Sequence, residues 1–497
     1  KKSNISLEFP AEVLDYTGKI SKTVSEKEIK NRRDFRKELT FTIDPEDAKD
    51  FDDAISYKEI EKNIYEVGIH IADVSHYVEK NSALDLEAYK RGTSIYLVDR
   101  VVPMLPEILS NMVCSLRPKE EKYTFSAIFK INSKGKTIEE WYGKTVIKSD
   151  KRFSYAEAQE IIETNNGTIS KEKSLTNKSY KVEKNLVDAI INLNEIAKQK
   201  REEREKEGSI NFNKKEIKFQ LDGENKPIEV VFKESKDANK LVEEFMLLAN
   251  KKVAELFKKL KKVPSVYRIH DVPDKEKLKD LKTIVKEFGY NLDISSREGT
   301  TKTLNKLLKD VKGKKEQNLI ETLAIRSMSK AEYSTQNIGH YGLAFKNYTH
   351  FTSPIRRYPD IMVHRTLNEC LLNKESKQKG VEKKCKHCSE QENIATKAER
   401  DSIKYMQIKY MEDKKDIKFK GIISGITDWG LYVELEENKC EGMVYIKDIK
   451  QDNFIFNQAT QTLKGTKTGI KYQLGDEVYV KVKKTDLAKK HLDFTII

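Results

Sequence analysis

At 497 residues, 37% hydrophobic and 35% charged, the chain is long enough for several packed domains and too apolar to be disordered throughout. Lys+Arg 94 against Asp+Glu 80 leaves a formal charge of +14, which favours a polyanionic partner, most simply nucleic acid. No apolar run approaches the roughly 20 residues a membrane helix needs. The N-terminus has no signal-peptide pattern, and five cysteines fit a reducing cytoplasm better than a disulfide scaffold. The opening at Lys1 rather than Met predicts a fragment.

Residues 1–38 read as an entry segment too short for a core of its own. From Leu39 the pattern turns β-like: a strand over 39–43, then 54–60 and 64–74 as partners across Glu61-Lys62-Asn63. Between them, Thr42 to Ala54 packs five aspartates and a glutamate into thirteen residues. Like charges that close repel, so a fold tolerates them only where solvent or a cation separates them. Carboxylates are natural Mg²⁺ ligands, so an acidic cluster on a basic chain points to metal-assisted chemistry on a polyanion. An EF-hand starting at Asp50 would put Ala54 at the fifth position and Ile55 where Gly is required, and fails.

Glu157–Glu207 reads as mostly helical, with Leu186, Ile190, Leu193 and Ala197 in helical spacing and an end at Gly208. Further helices are expected over 236–260, 275–288, 302–333 and 359–373. Lys374–Lys386 reads as a lysine-rich solvated linker, and a last helix from about Ile394 to Met411. From Lys418, five short apolar runs with glycines at the bends predict a small closed β-barrel of the OB type. The expected class is therefore α+β: a large mixed domain over 39–414 followed by a barrel over 415–497.

Several motifs in order carry a family resemblance. They are Asp44-x5-Asp50-x-Asp52-Asp53, Gly68 to Val78, Arg91 to Tyr96, Val101 to Pro106, Arg268-Ile269-His270-Asp271, and Gly339 to Ala344 through Thr352 to Asp360. Together they resemble the catalytic (RNB) domain of the RNase II/RNase R family, closest to its bacterial RNase R branch, and the last 80-odd residues resemble its S1-type RNA-binding domain. The resemblance implies a processive 3′→5′ exoribonuclease that uses Mg²⁺, two ions during catalysis, to release 5′-nucleoside monophosphates from single-stranded RNA with a free 3′ end. It also implies cold-shock-type barrels ahead of the catalytic domain and a lysine-rich tail, which this sequence does not include. A cytoplasmic monomer is expected, with translation or RNA-decay machinery as a possible partner.

The resemblance also implies site roles. Asp44, Asp50, Asp52 and Asp53 match the metal-site quartet, with Asp52 most tied to the catalytic metal. Arg356 matches the arginine on the scissile phosphate, and Glu399 a glutamate near the active centre. Tyr96 matches the tyrosine that stacks on the 3′-terminal base, and Phe212 an opposing aromatic; for Phe212 a core aromatic in a strand is the alternative. Glu243 and Glu244 resemble another family segment, with no choice between them. In the barrel, Trp429, Tyr432 and Tyr445 have the placement of an aromatic RNA-binding face. Cys385-Lys386-His387-Cys388 has too few ligands nearby for a closed zinc site. Two other classes compete with the exoribonuclease: a catalytically silent RNA-binding paralogue and a DNA exonuclease.

Overall fold

The acidic stretch connects two neighbouring strands of a seven-stranded sheet. The computed structural model describes residues 5–212, 216–260, 265–314, 316–373, 379–457 and 462–497. Its sheet strands are β1 (Arg33–Asp34), β2 (Thr40–Asp44), β3 (Asp53–Glu61), β4 (Ile64–Ala72), β7 (Glu121–Asn132), β8 (Thr137–Lys148) and β9 (Lys151–Ser154), in spatial order β1-β8-β7-β4-β3-β2-β9. A separate ribbon pairs β5 (Ile95–Tyr96) with β6 (Val101–Val102). The β3–β4 hairpin closes through Asn63 at φ 66°, a left-handed position that asparagine tolerates. The entry segment supplies helix α1 (Ala11–Gly18), and its Val13 and the later Phe35 bury into the main core with Phe41, Ile69, Phe125 and Phe153.

Longer helices follow α1 along the chain. They are α2 (Ala83–Arg91), α3 (Tyr155–Thr164), α4 (Lys184–Lys206), α5 (Asp237–Leu260), α6 (Lys275–Glu287), α7 (Arg297–Asp310), α8 (Gln317–Ser327), α9 (Tyr358–Leu371) and α10 (Val381–Met411). Three helical expectations are corrected. Glu157–Glu207 is two helices, because Asn165 takes the left-handed conformation at the end of α3 and a short hairpin of Thr168–Ile169 with Tyr180–Lys181 intervenes. The stretch 302–333 is also two helices, α7 and α8, followed by the strand Ala331–Ser334. The last helix begins at Val381, so 381–386 of the expected linker is helical, and Cys385 and Cys388 point into the main core; 374–378 lie outside the described residues.

The expected barrel is present: β12 (Phe419–Thr427), β13 (Gly430–Leu435), β14 (Glu441–Tyr445), β15 (Glu477–Asp486) and β16 (His491–Ile496) close on themselves. Before it in the chain, β10 (Glu216–Leu221) and β11 (Pro227–Lys233) form a hairpin arm. The barrel does not hang free. Its interior residues Ile423, Val433, Val444 and Phe494 form one buried cluster with Leu278 and Leu281 of α6, Leu304 of α7, Ile320 of α8 and Met411 of α10. Burial of this shared apolar surface, at about 25 cal/mol per Å², joins the barrel to these four helices of the larger domain.

Candidate active site

The four sequence-expected aspartates come from two strand ends and the connection between them. Asp44 ends β2 and Asp53 begins β3, neighbouring strands of the sheet, while Asp50 and Asp52 come from the connection. That connection is tied down from below: the Phe51 N–H donates to Ser115 Oγ at 3.0 Å, Ser115 Oγ donates to the Lys49 carbonyl at 2.7 Å, and the Ala72 N–H donates to the Asp52 carbonyl at 2.9 Å. All four carboxylates line one cavity of about 940 Å³, together with Tyr96, Tyr155, Ser353, Arg356 and Lys218.

Electrostatically the cavity is short of cations. Burial, with repulsion from Asp53, pushes the Asp44 carboxyl up to about 8. Burial pushes Asp53 up to about 6 against the pull of Arg356, and raises Asp50 and Asp52 as well. Asp73 makes the contrast: equally buried, it is held well below the usual carboxylate range by Lys144 and Arg32, with Arg32 Nη2 2.8 Å away. A buried carboxylate kept for structure is paired, whereas here Asp50, Asp52 and Asp53 share Arg356 and Asp44 feels only the positive charge of Arg152.

Asp44 Oδ2 is buried with no hydrogen-bond partner. An orphaned hard oxygen beside three more carboxylates fits a divalent cation of the Mg²⁺ kind. Among the described residues no group of three or more His, Cys, Asp or Glu side chains is already spaced to hold a metal ion.

Opposite the acidic connection lies Ser353–Arg357. The Ile355 N–H donates to Asp52 Oδ1 at 2.8 Å, and Arg356 Nε lies 3.6 Å from Asp52 Oδ2. Arg356 Nη2 donates to Ser353 Oγ at 2.9 Å, and its side chain remains 43% exposed to the cavity. The neighbouring Arg357 is consumed elsewhere: it grips the fully buried Asp360 with two nitrogens, at 2.9 and 2.8 Å. Of two adjacent arginines, only Arg356 faces the carboxylates with donors to spare.

Tyr96 projects from β5 with 41% of its surface exposed, its hydroxyl 3.4 Å from Asp50 Oδ2. Its backbone N–H donates to Glu399 Oε1 of α10 at 2.9 Å, and the neighbouring Ser94 N–H donates to the Arg356 carbonyl. Glu399 thus holds the Tyr96 backbone and is absent from the described walls of the cavity; the expectation of a catalytic Glu399 gives way to a positioning contact. Phe212 is likewise absent from those walls. It lies in an irregular stretch, not a strand, and packs half-buried against the cluster shared by barrel and helices. Glu244 is buried against Arg204 at 2.5 Å, a structural ion pair, while Glu243 stays exposed.

In the barrel, Tyr432 stands opposite Met443 and Tyr445 opposite Gly430, so both ride the outer face beside the 70% exposed Trp429. α10 links the two regions, because it carries Glu399 and, farther along, Lys404 and Gln407, which donate to the Glu441 and Lys439 carbonyls of the barrel. His387 bonds the Tyr89 carbonyl through Nε2 at 2.9 Å. Sequence reasoning missed Tyr155 and Lys218 as wall residues. A Ser154–Glu157 capping box marks the start of α3 and hence Tyr155, but no local signal aims either side chain at the carboxylates.

The sequence matches the family described as RNB domain over residues 32–373 and the S1 RNA binding domain over 412–497. It is 37% identical to Ribonuclease R of Aquifex aeolicus over 501 residues, covering 100% of this chain and 69% of that protein. The chain belongs to the ribonuclease R family. It is also 38% identical to Ribonuclease R 1 of Lactococcus lactis, of which it spans 59% of the length. Among solved structures, Mycoplasma genitalium RNase R in complex with ribose methylated single-stranded RNA superposes with a TM-score of 0.91 at 29% identity, covering 100% of this chain and 76% of that one. Among the described residues no helix is long and apolar enough to cross a membrane.

Proposed function

We propose that the chain is a processive 3′→5′ exoribonuclease that hydrolyses single-stranded RNA to 5′-nucleoside monophosphates with Mg²⁺, two ions serving catalysis. The observation that carries this reading is the meeting of four under-neutralised aspartates with the free end of Arg356 in one cavity whose wall includes Tyr96. Asp44, Asp50, Asp52 and Asp53 would hold the metal. When bound, divalent ions supply an activated water and neutralise phosphate and leaving-group oxygens.

The remaining roles belong to the chain itself. The Arg356 fork suits two oxygens of the scissile phosphate and opposes the charge that grows there. Its hydrogen bond to Ser353 and its proximity to Asp52 keep it oriented before RNA arrives. Tyr96 offers a ring on which any terminal base can stack, which suits an enzyme that must accept every nucleotide. The barrel's Trp429, Tyr432 and Tyr445 extend that sequence-tolerant grip along the strand, and the +14 excess draws it in.

A silent RNA-binding role is not favoured, because Asp52 and Arg356 are both present and close. The five cysteines are all free thiols, a state that a reducing cytoplasm would preserve. The test is a 5′-labelled single strand, as RNA and as matched DNA, incubated with Mg²⁺ or with EDTA. Stepwise shortening of RNA with monophosphate release, abolished by EDTA, is expected. Internal cuts, or DNA degraded as fast as RNA, would overturn the reading.

A further inference from the structure

Arg152 makes contacts that the acidic connection cannot supply for itself. It sits on β9 opposite Thr42 of β2, one strand away from the turn that follows Asp44. Its Nη2 donates to three main-chain carbonyls of that turn: Pro45 at 2.8 Å, Glu46 at 2.8 Å and Ala48 at 3.4 Å. Carbonyls in an extended segment point to alternating sides, so one nitrogen meets three of them only if the chain curls around it. The guanidinium carbon lies 4.8 Å from the centroid of the buried Phe51 ring, which bounds the far end of the same connection.

Among the described residues no carboxylate forms an ion pair with Arg152, and its Nε is buried without a partner. A guanidinium with no direct ion pair among the described residues, and with one buried donor unpaired, is spent on the carbonyls at its other end. Its charge also lies near enough to oppose the burial and Asp53 repulsion that raise Asp44.

We infer that Arg152 is a positioning residue that sets the curl of residues 45–48, and through it the placement of Asp44 relative to Asp50, Asp52 and Asp53 for binding a divalent cation. The inference rests on the metal-dependent reading of the cavity. Lysine at this position would keep the charge but lose the planar fork and its stacking on Phe51.

The experiment compares wild type, R152A and R152K. It measures Mg²⁺ binding by calorimetry, hydrogen exchange over residues 44–52, and kcat and KM on single-stranded RNA. Both variants are expected to bind Mg²⁺ about 10–100-fold more weakly and to lose about a hundredfold in kcat, with KM for RNA near wild type. Exchange should quicken across the acidic connection and not across β4. Wild-type Mg²⁺ affinity in R152A, or a lowered melting temperature with Mg²⁺ affinity and kcat intact, would overturn the inference. Full recovery in R152K would overturn the fork in favour of charge alone, and R152K decides the matter if R152A does not fold. A wild type that neither binds Mg²⁺ nor degrades RNA refutes the underlying reading, and this is seen before any variant is compared.

Discussion

Replacing Asp53 by Asn should destroy hydrolysis and yet stabilise the metal-free protein at alkaline pH. In the unfolded chain this carboxyl ionises near 3.8, whereas in the folded cavity it keeps its proton up to about 6. Between those values the native state binds more protons, so the stabilising contribution is complete below 3.8 and is lost as pH rises through about 6. At about 1.4 kcal/mol per pKa step, the ionised carboxylate costs about 3 kcal/mol at pH 8, trimmed to about 2 kcal/mol by the solvent that reaches the cavity. The amide removes that cost and also the repulsion that lifts Asp44. For a domain of this size the gain corresponds to a melting temperature higher by roughly 2–3 °C. The assay is a thermal melt in EDTA at pH 8 and again near pH 4, where the difference should vanish. With Mg²⁺ added, wild type should gain more than the variant, because binding a cation relieves the same repulsion. A variant that melts several degrees below wild type in EDTA at pH 8 would refute the claim that these carboxylates are under-neutralised.

Three further outcomes are expected. Asp52→Asn keeps the acceptor for the Ile355 N–H, so it should fold and hold RNA while turnover falls at least a hundredfold; wild-type monophosphate release would remove Asp52 from the metal site. Tyr96→Ala should forfeit about 1–3 kcal/mol of terminal stacking, changing the length of the residual end product on a denaturing gel more than the decay of long RNA. Equal ladders would dismiss Tyr96 from that role. Substituting Trp429, Tyr432 and Tyr445 together by Ala should weaken capture of long RNA in a binding titration, while the slope of affinity against salt stays near wild type because no phosphate contact is lost. Loss of hydrolysis on a short strand at saturation would contradict the division between barrel and cavity. Side-chain substitution is preferable to deleting 415–497, because the deletion would expose Met411, Ile320 and Leu281 from the shared cluster.

Local grammar made much of this legible from residues alone. The β3–β4 hairpin, its Asn63 turn and the five barrel strands are written in alternation and turn chemistry, which act over a few residues. The acidic stretch announced a cation by its repulsion, whatever the fold. Helix ends were less legible. Asn165 and the turn before α8 interrupt stretches whose composition stays helix-compatible, and the hairpin at 168–181 is held by pairing with its own partner strand, not by propensity.

What composition and spacing leave open are choices between chemically equal neighbours, because those depend on partners hundreds of residues away. Arg356 and Arg357 are indistinguishable as side chains; the buried Asp360 takes one and leaves the other facing Asp52. Glu399 could have reached the cavity, and instead α10 places its carboxylate on the Tyr96 amide, 303 positions earlier in the chain. Arg152 acts on main-chain carbonyls, which have no residue identity, so no pattern of side chains could announce it. Charge and periodicity are properties a segment carries with it, but which donor is spent and which remains free is settled when distant segments close on each other.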